Sequence, residues 1–397
     1  MCTNPISEPH LKYPERYVWL DLARGLSALA VCAGHLRAAT FLDFAELQSP
    51  TAFHWALYFV TGLGHQAVMV FFVLSGFFVG GSVLKAGVGF DATTYATARL
   101  VRLWTVLIPV LVVTAVVDLF LSAIHPEALT GAYHQQWNSG PTATDHSNSP
   151  STFLANIFFL QTITSPVFGT NRPLWSLANE FWYYLLFPMI GTAVGLCGPA
   201  RGRGARASLA LLAVVILYLL PGMREGFVVW LMGVGVYVVT RRIACRRRPI
   251  ALVTASAMLL AALAYSKSTW PTIQPNISSD LVIGLAFAIL CVVLASWPPP
   301  GNSVIGVKVR GFSEGLSAIS YSLYASHFPF VVVIALFGYG GLRLVPDFAG
   351  IARYAGWLCV LLLIGSICWY LFERHTEAIR RRVRAWHLNW TAENGRG

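Results

Sequence analysis

Apolar side chains run along this chain in long blocks, separated by short stretches rich in Arg, Pro and Gly. A helix needs about 20 mostly apolar residues to cross a bilayer. The blocks predict ten helical spans, at about 17–38, 56–84, 103–124, 174–197, 207–221, 226–240, 250–266, 280–297, 316–339 and 352–372. The fifth and sixth are short, and "PGMREG" between them reads as a tight hairpin. An even number of crossings puts both termini on one side. The pattern breaks once, over residues 125–173, which are polar and rich in Ser, Thr, Pro and Gly. Within that segment "FLANIFFLQTI" (153–163) predicts a short helix lying on the outer surface. No internal repeat interrupts the series. The expected organisation is one membrane domain over 1–384, with 125–173 inserted in it and a cytoplasmic tail at 385–397.

Composition supports an all-α, polytopic membrane bundle. The chain is 56% hydrophobic and 11% charged, against about 25% charged in a typical soluble domain. A net charge of +11 raises the question of nucleic acid, and the distribution answers it. With both termini inside, 21 Lys and Arg fall on inner segments, six on outer ones, and Arg24 stays within the membrane, which accounts for all 28. That asymmetry is the positive-inside bias, not a nucleic-acid surface, and it sets the orientation; the expected location is the inner (cytoplasmic) membrane of a bacterium. Residues 1–16 are polar, and no cleavable signal follows them. The seven cysteines show no CxxC or Cys/His spacing, so neither a metal nor a disulfide framework is expected.

The informative residues are the polar ones inside apolar blocks, because an ionisable group in hydrocarbon is costly and is kept for a reason. "LDLARGLSALAVCAGHLRA" (20–38) carries Asp21, Arg24 and His35. Arg24 and His35 are eleven residues apart, close to three full turns, so they share a helix face about 16 Å apart along the axis. An Asp21–Arg24 ion pair and an interfacial His35 would be the structural explanation. "NRPLWSLANEFWYYLLFP" (171–188) adds Glu180, expected near the depth of His35 and able to orient it. Trp175 and Ser176 stand beside it, and Trp175, Trp182, Tyr183 and Tyr184 fit an interfacial aromatic belt. "FFVLSGFFVGG" places Ser75 and Gly76 in the inner half of the second block, where small residues let helices approach. "ARLVRLWTVLIP" puts Arg99 and Arg102 at the inner mouth of the third. "SYSLYASHFPF" groups Ser320, Tyr321, Tyr324 and His327, and "YLFER" closes the last block with Glu373. In the polar segment, His134, Trp137, Asp145 and His146 are candidates for acceptor selection, the Trp as a stacking surface.

Taken in order, Arg24 with His35, "FFVLSGF", "RLVRLW", "PLWSLANEFWYYLLFP", "SYSLYASH" and "YLFER" resemble the acyltransferase-3 family of membrane O-acyltransferases, across about residues 15–384. Departures are Thr105 after the arginine motif, Ala325 before the histidine and His375 after "FER". The resemblance implies transfer of an acyl group, acetyl most commonly, from cytoplasmic acyl-CoA to a hydroxyl at the outer face. It implies no bound cofactor: acyl-CoA is a co-substrate. Arg24, Arg99 and Arg102, with Ser75, would hold the donor; His35 would be general base on the acceptor hydroxyl, or else take the acyl group itself, and Glu180 would orient His35 or the acceptor. Asp21, Trp175, Ser176, Tyr321, Tyr324, His327 and Glu373 would line or support the passage. A surface polysaccharide or lipid-linked sugar is the expected acceptor, with a macrolide-type small molecule or a lipid as the alternative. A transporter or flippase is the rival class, disfavoured by the missing repeat.

Overall fold

In a computed structural model the described residues are 17–394, apart from 133–136, 138, 139, 143, 145, 200, 243–248 and 269–276. The chain is an all-α membrane protein, and each of the ten expected blocks is helical. These helices are α1 (Val18–Thr40), α2 (Ala52–Thr61) with α3 (Gly64–Ser75) and α4 (Gly81–Ala86), and α5 (Ala92–Ile124). After a short α6 (Pro150–Ile157) come α7 (Trp175–Ala193), α8 (Arg203–Leu219), α9 (Arg224–Arg242), α10 (Pro249–Ser268) and α11 (Ile277–Ala295). The bundle ends with α12 (Val304–Val333), α13 (Phe348–Leu371) and α14 (Thr376–Asn394). Among the described residues six stretches are long and apolar enough to cross a bilayer: 52–89, 92–124, 221–242, 249–268, 304–338 and 348–386. The other four blocks fall short for two reasons. Polar side chains dilute α1 and α7, while α8 and the described part of α11 are shorter.

Local chemistry sets the helix ends. Asp91 caps α5 by accepting the Thr94 N–H at 2.7 Å, and Ser303 and Asp347 do the same for α12 and α13. The Asp91 cap starts α5 eleven residues before the expected block, so Arg99 and Arg102 lie two to three turns inside the helix. The predicted hairpin is present: α8 and α9 meet through a single 3-10 turn, Pro221–Met223.

Packing rests on backbone approach. At Gly76, where α3 passes through a π-helical turn, an added Cβ would sit 1.9 Å from the Trp230 carbonyl; at Gly233 it would sit 1.9 Å from that of Val73. Helices α3 and α9 therefore touch main chain to main chain, which only glycine permits at those two positions. Tyr183 is buried against Phe72, Phe227 and Trp230, and Tyr184 is buried as well. Tyr183 and Tyr184 are thus core, not an interfacial belt, while Trp175 and Trp182 are partly buried.

The polar segment is the largest departure from expectation. Its second half turns back into the bundle instead of lying on the surface. Residues 146–147 pair with 167–168 as a two-stranded parallel sheet, and Asn156 fixes the turn through Pro166 O and the Phe168 N–H. Buried Asp118 of α5 accepts both the N–H and the hydroxyl of Thr170 at 2.8 Å, and Asn171 donates to Thr114 and to the Ala325 carbonyl. The helix expected over 153–163 ends at Ile157, whose carbonyl takes the Trp104 indole N–H. An irregular backbone at this depth is tolerated because protein groups satisfy it.

Candidate functional site

Two polar sites lie along α1. The first is a cavity of about 510 Å³ between α1, α3, α5, α7, α12 and the start of α14. Arg24, Arg99 and Arg102 line it, with Ser75, Ser176, Glu180, Tyr321, Tyr324 and Glu373. Arg24, Arg99, Arg102, Glu180 and Glu373, five residues from four separate sequence motifs, supply cations and carboxylates to one chamber. Each cation is held differently. Arg24 pairs with Asp21 at 3.0 Å and lies over the Phe78 ring at 5.0 Å; Asp21 also accepts the Ser317 hydroxyl. Arg102 meets Glu373 at 2.7 Å. Glu373 is only 3% exposed, and its other oxygen takes the N–H and hydroxyl of Ser322. It is a buried organiser of the cavity, not an ordinary helix-end charge. Arg99 lies 5.7 Å over the Tyr95 ring, and its buried Nε has no hydrogen-bond acceptor among the described residues.

Glu180 belongs to this chamber. Its neighbour one turn on, Tyr184, donates to it, and Ser75 donates to that tyrosine at 3.2 Å while accepting the Trp230 indole N–H at 3.0 Å. The Tyr184 carbonyl in turn accepts the hydroxyl of Tyr95, in the first turn of α5. That fixes the depth of Glu180 near Arg99. The expected Glu180–His35 pairing is corrected: no hydrogen bond joins the two among the described residues. The cause is the inward-turning segment before α7. It starts that helix beside Tyr324, so counting residues from the surface misplaces everything after it.

The second site is a histidine pair. His35 Nδ1 and His327 Nε2 are 3.2 Å apart, and the edge of Phe328 packs on His35 at 5.0 Å between ring centres. His327 is fully buried, and its Nδ1 faces the Tyr324 carbonyl at 2.8 Å and that of Leu323 at 3.2 Å. Neither histidine lines the cavity, which stops at Phe71 and Tyr324, in edge contact at 5.7 Å between centres. Tyr324 is locked there, donating to Pro173 O at 2.9 Å and sharing a 2.5 Å bond with Ser176. Trp175 lies outside both sites, stacked on His65. Asp21 lines an adjoining cavity of about 260 Å³, with Arg24, Arg102 and Glu373 between it and the main chamber.

In the polar segment His134 and Asp145 lie outside the described residues. Trp137 is 6% exposed, tucked against Gly140 and Ala128, and offers no open face for stacking. Sequence reasoning did not single out Trp230, Arg374 or Arg380, which support or line the chamber. Arg374, in the turn before α14, and Arg380 on it carried only a charge-bias signal. Tyr184 was visible, but an aromatic run invites the belt explanation.

Comparison with known proteins bears on the same residues. A family model described as an acyltransferase domain matches residues 17–374. The acyltransferase MdmB of Streptomyces mycarofaciens is 30% identical over 182 residues, 44% of this chain. The match spans 40% of that relative's length. No solved structure matches the chain.

Proposed function

The chain belongs to the acyltransferase family whose domain model spans residues 17–374, and from that premise we propose that it is a membrane O-acyltransferase using acyl-CoA. The supporting observation is the chamber itself: Arg24, Arg99 and Arg102 converge with Arg374 and Arg380 on one cavity, and Arg99 has a buried Nε without an acceptor among the described residues. Guanidinium groups at such spacing suit phosphate, which they bind through charge-assisted hydrogen bonds. Beyond them the cavity turns apolar, lined by Val68, Phe71, Phe72, Leu103 and Leu177. A nucleotide phosphate held at the arginines would send its thioester arm toward that end, past Ser75 and Glu180.

The donor enters from the side carrying the basic clusters, which is the cytoplasm of a bacterium, with ten crossings and both termini inside. The acceptor is a hydroxyl presented from the other side, on a carbohydrate such as a surface polysaccharide or lipid-linked sugar, and the group is acetyl. His35 takes the hydroxyl proton as the oxygen attacks the thioester carbonyl. The C–S bond breaks, and the departing CoA thiolate recovers the proton. The reaction needs Tyr324 and Phe71 to part, because they now close the chamber below His35 and His327. Glu180, on the donor side, receives the amide N–H groups of the CoA arm.

The test is direct. Purified protein in vesicles is given acetyl-CoA and extracted envelope glycan; CoA thiol release is followed, and the glycan is weighed by mass spectrometry. One added acetyl mass per CoA released is the expected result. Tight acyl-CoA binding with no transfer to any carbohydrate fraction would overturn the acceptor class.

A further inference from the structure

The histidine pair holds information that neither ring holds alone. A neutral imidazole has one N–H and one bare nitrogen, and the partners decide which is which. His327 Nδ1 faces two backbone carbonyls, of Tyr324 at 2.8 Å and Leu323 at 3.2 Å. Carbonyl oxygens only accept, so Nδ1 carries the proton. His327 is fully buried and no carboxylate among the described residues touches it, which leaves the neutral ring with a bare Nε2. That nitrogen stands 3.2 Å from His35 Nδ1. A bare nitrogen must be met by a donor, so His35 Nδ1 carries its proton too. The proton is thereby excluded from His35 Nε2, which makes no hydrogen bond among the described residues. The charged groups within electrostatic reach of His35 are the cations Arg37 and Arg172, from α1 itself and from the turn before α7. Neither offers an acceptor that would reverse the order.

We infer that His327 is a positioning residue: the Leu323 and Tyr324 carbonyls set its tautomer, and it in turn fixes His35 with Nε2 bare and ready to accept a proton. The inference rests on the general-base role of His35 proposed above and adds the mechanism that keeps that base in its working form. In a catalytic triad a carboxylate does this; here two backbone carbonyls do it through a second imidazole, without placing a charge in the membrane.

The full-length protein labelled with 15N-histidine, in vesicles, tests the assignment. The His35 ring signals are identified by difference against His35→Ala. A protonated Nδ1 and a bare Nε2 are expected, and a proton on Nε2 overturns the proposal. Two variants then separate tautomer control from packing. His327→Leu keeps bulk and removes the acceptor, so His35 samples both tautomers, its protonated ring loses a partner, and kcat falls about ten- to a hundredfold, with KM for acyl-CoA unchanged. His327→Gln offers an acceptor oxygen where Nε2 stood and restores kcat to within about threefold of the parent. Equal losses in the two variants overturn the proposal. Activity retained by His35→Ala overturns the base role itself, whatever tautomer the spectrum shows.

Discussion

The inner and outer stretches of α1 keep polar groups in the membrane by opposite means. Around Arg24 the chamber is roomy, and its cations are answered by carboxylates, Asp21 for Arg24 and Glu373 for Arg102. Around His35 there is no carboxylate partner among the described residues; a second imidazole and backbone carbonyls take that place. On the proposed function, one site exchanges a charged ligand with water and the other holds one proton at one atom. Changes at the first should therefore read out in donor binding and stability, and changes at the second in turnover. His35→Ala is the largest expected effect. It removes the proposed base while leaving the arginines intact, so kcat for transfer should fall about a hundred- to ten-thousandfold with acyl-CoA affinity preserved. Steady-state kinetics with a binding isotherm on the same preparation checks both halves. A joint loss of affinity would merge the two sites into one.

A second way to break the comparison is Glu373→Ala. Glu373 is nearly fully buried and serves Arg102 and both donors of Ser322. The variant leaves those groups unanswered between α5, α12 and α13. Arg102 is 40% exposed on its side chain, so water offsets part of the loss, and a destabilisation of about 2–3 kcal/mol remains. The midpoint of thermal unfolding in detergent measures it. Glu373→Gln keeps one acceptor for Ser322 and should lose less. An unchanged midpoint for the alanine variant would make the Arg102 pair a solvated contact.

The same contrast explains which parts were legible in the sequence. Apolar periodicity locates the helices because each must bury its surface in lipid or in a neighbour. The motifs also bring Arg24, Ser75, Arg99, Arg102, Ser176, Tyr321, Tyr324 and Glu373 to one chamber, since intramembrane polarity is expensive wherever it occurs. Depth is where the reading fails. Glu180 was placed by counting residues inward from a surface loop, and that count assumes the loop stays outside. It does not, because Asp118, Thr114 and Asn171 supply hydrogen bonds that let residues 146–174 enter the bundle. Those three are polar residues of ordinary appearance, and only the fold shows that they face each other. Trp137 fails for the same reason: a Trp in a Ser/Pro-rich stretch reads as exposed until the chain is seen closing over it.

The smallest predicted effect is the most specific to the chamber. Arg99 is the cavity arginine with a cation–π contact to Tyr95 and a buried Nε lacking an acceptor, whereas Arg24 and Arg102 already have carboxylates. Removing an arginine that holds a carboxylate disturbs the fold as well as the ligand; Arg99→Ala disturbs chiefly the ligand. One phosphate contact at a half-open site is worth about 1–2 kcal/mol, so acyl-CoA affinity should fall about five- to thirtyfold, with kcat at saturating donor unchanged. Because the lost contact is ionic, the gap between parent and variant should narrow as salt is raised. A donor titration at two salt concentrations settles it. If Arg99→Ala instead lowers kcat at saturating donor, the chamber shapes the transition state as well as the bound substrate, and the division of labour between the two ends of α1 no longer holds.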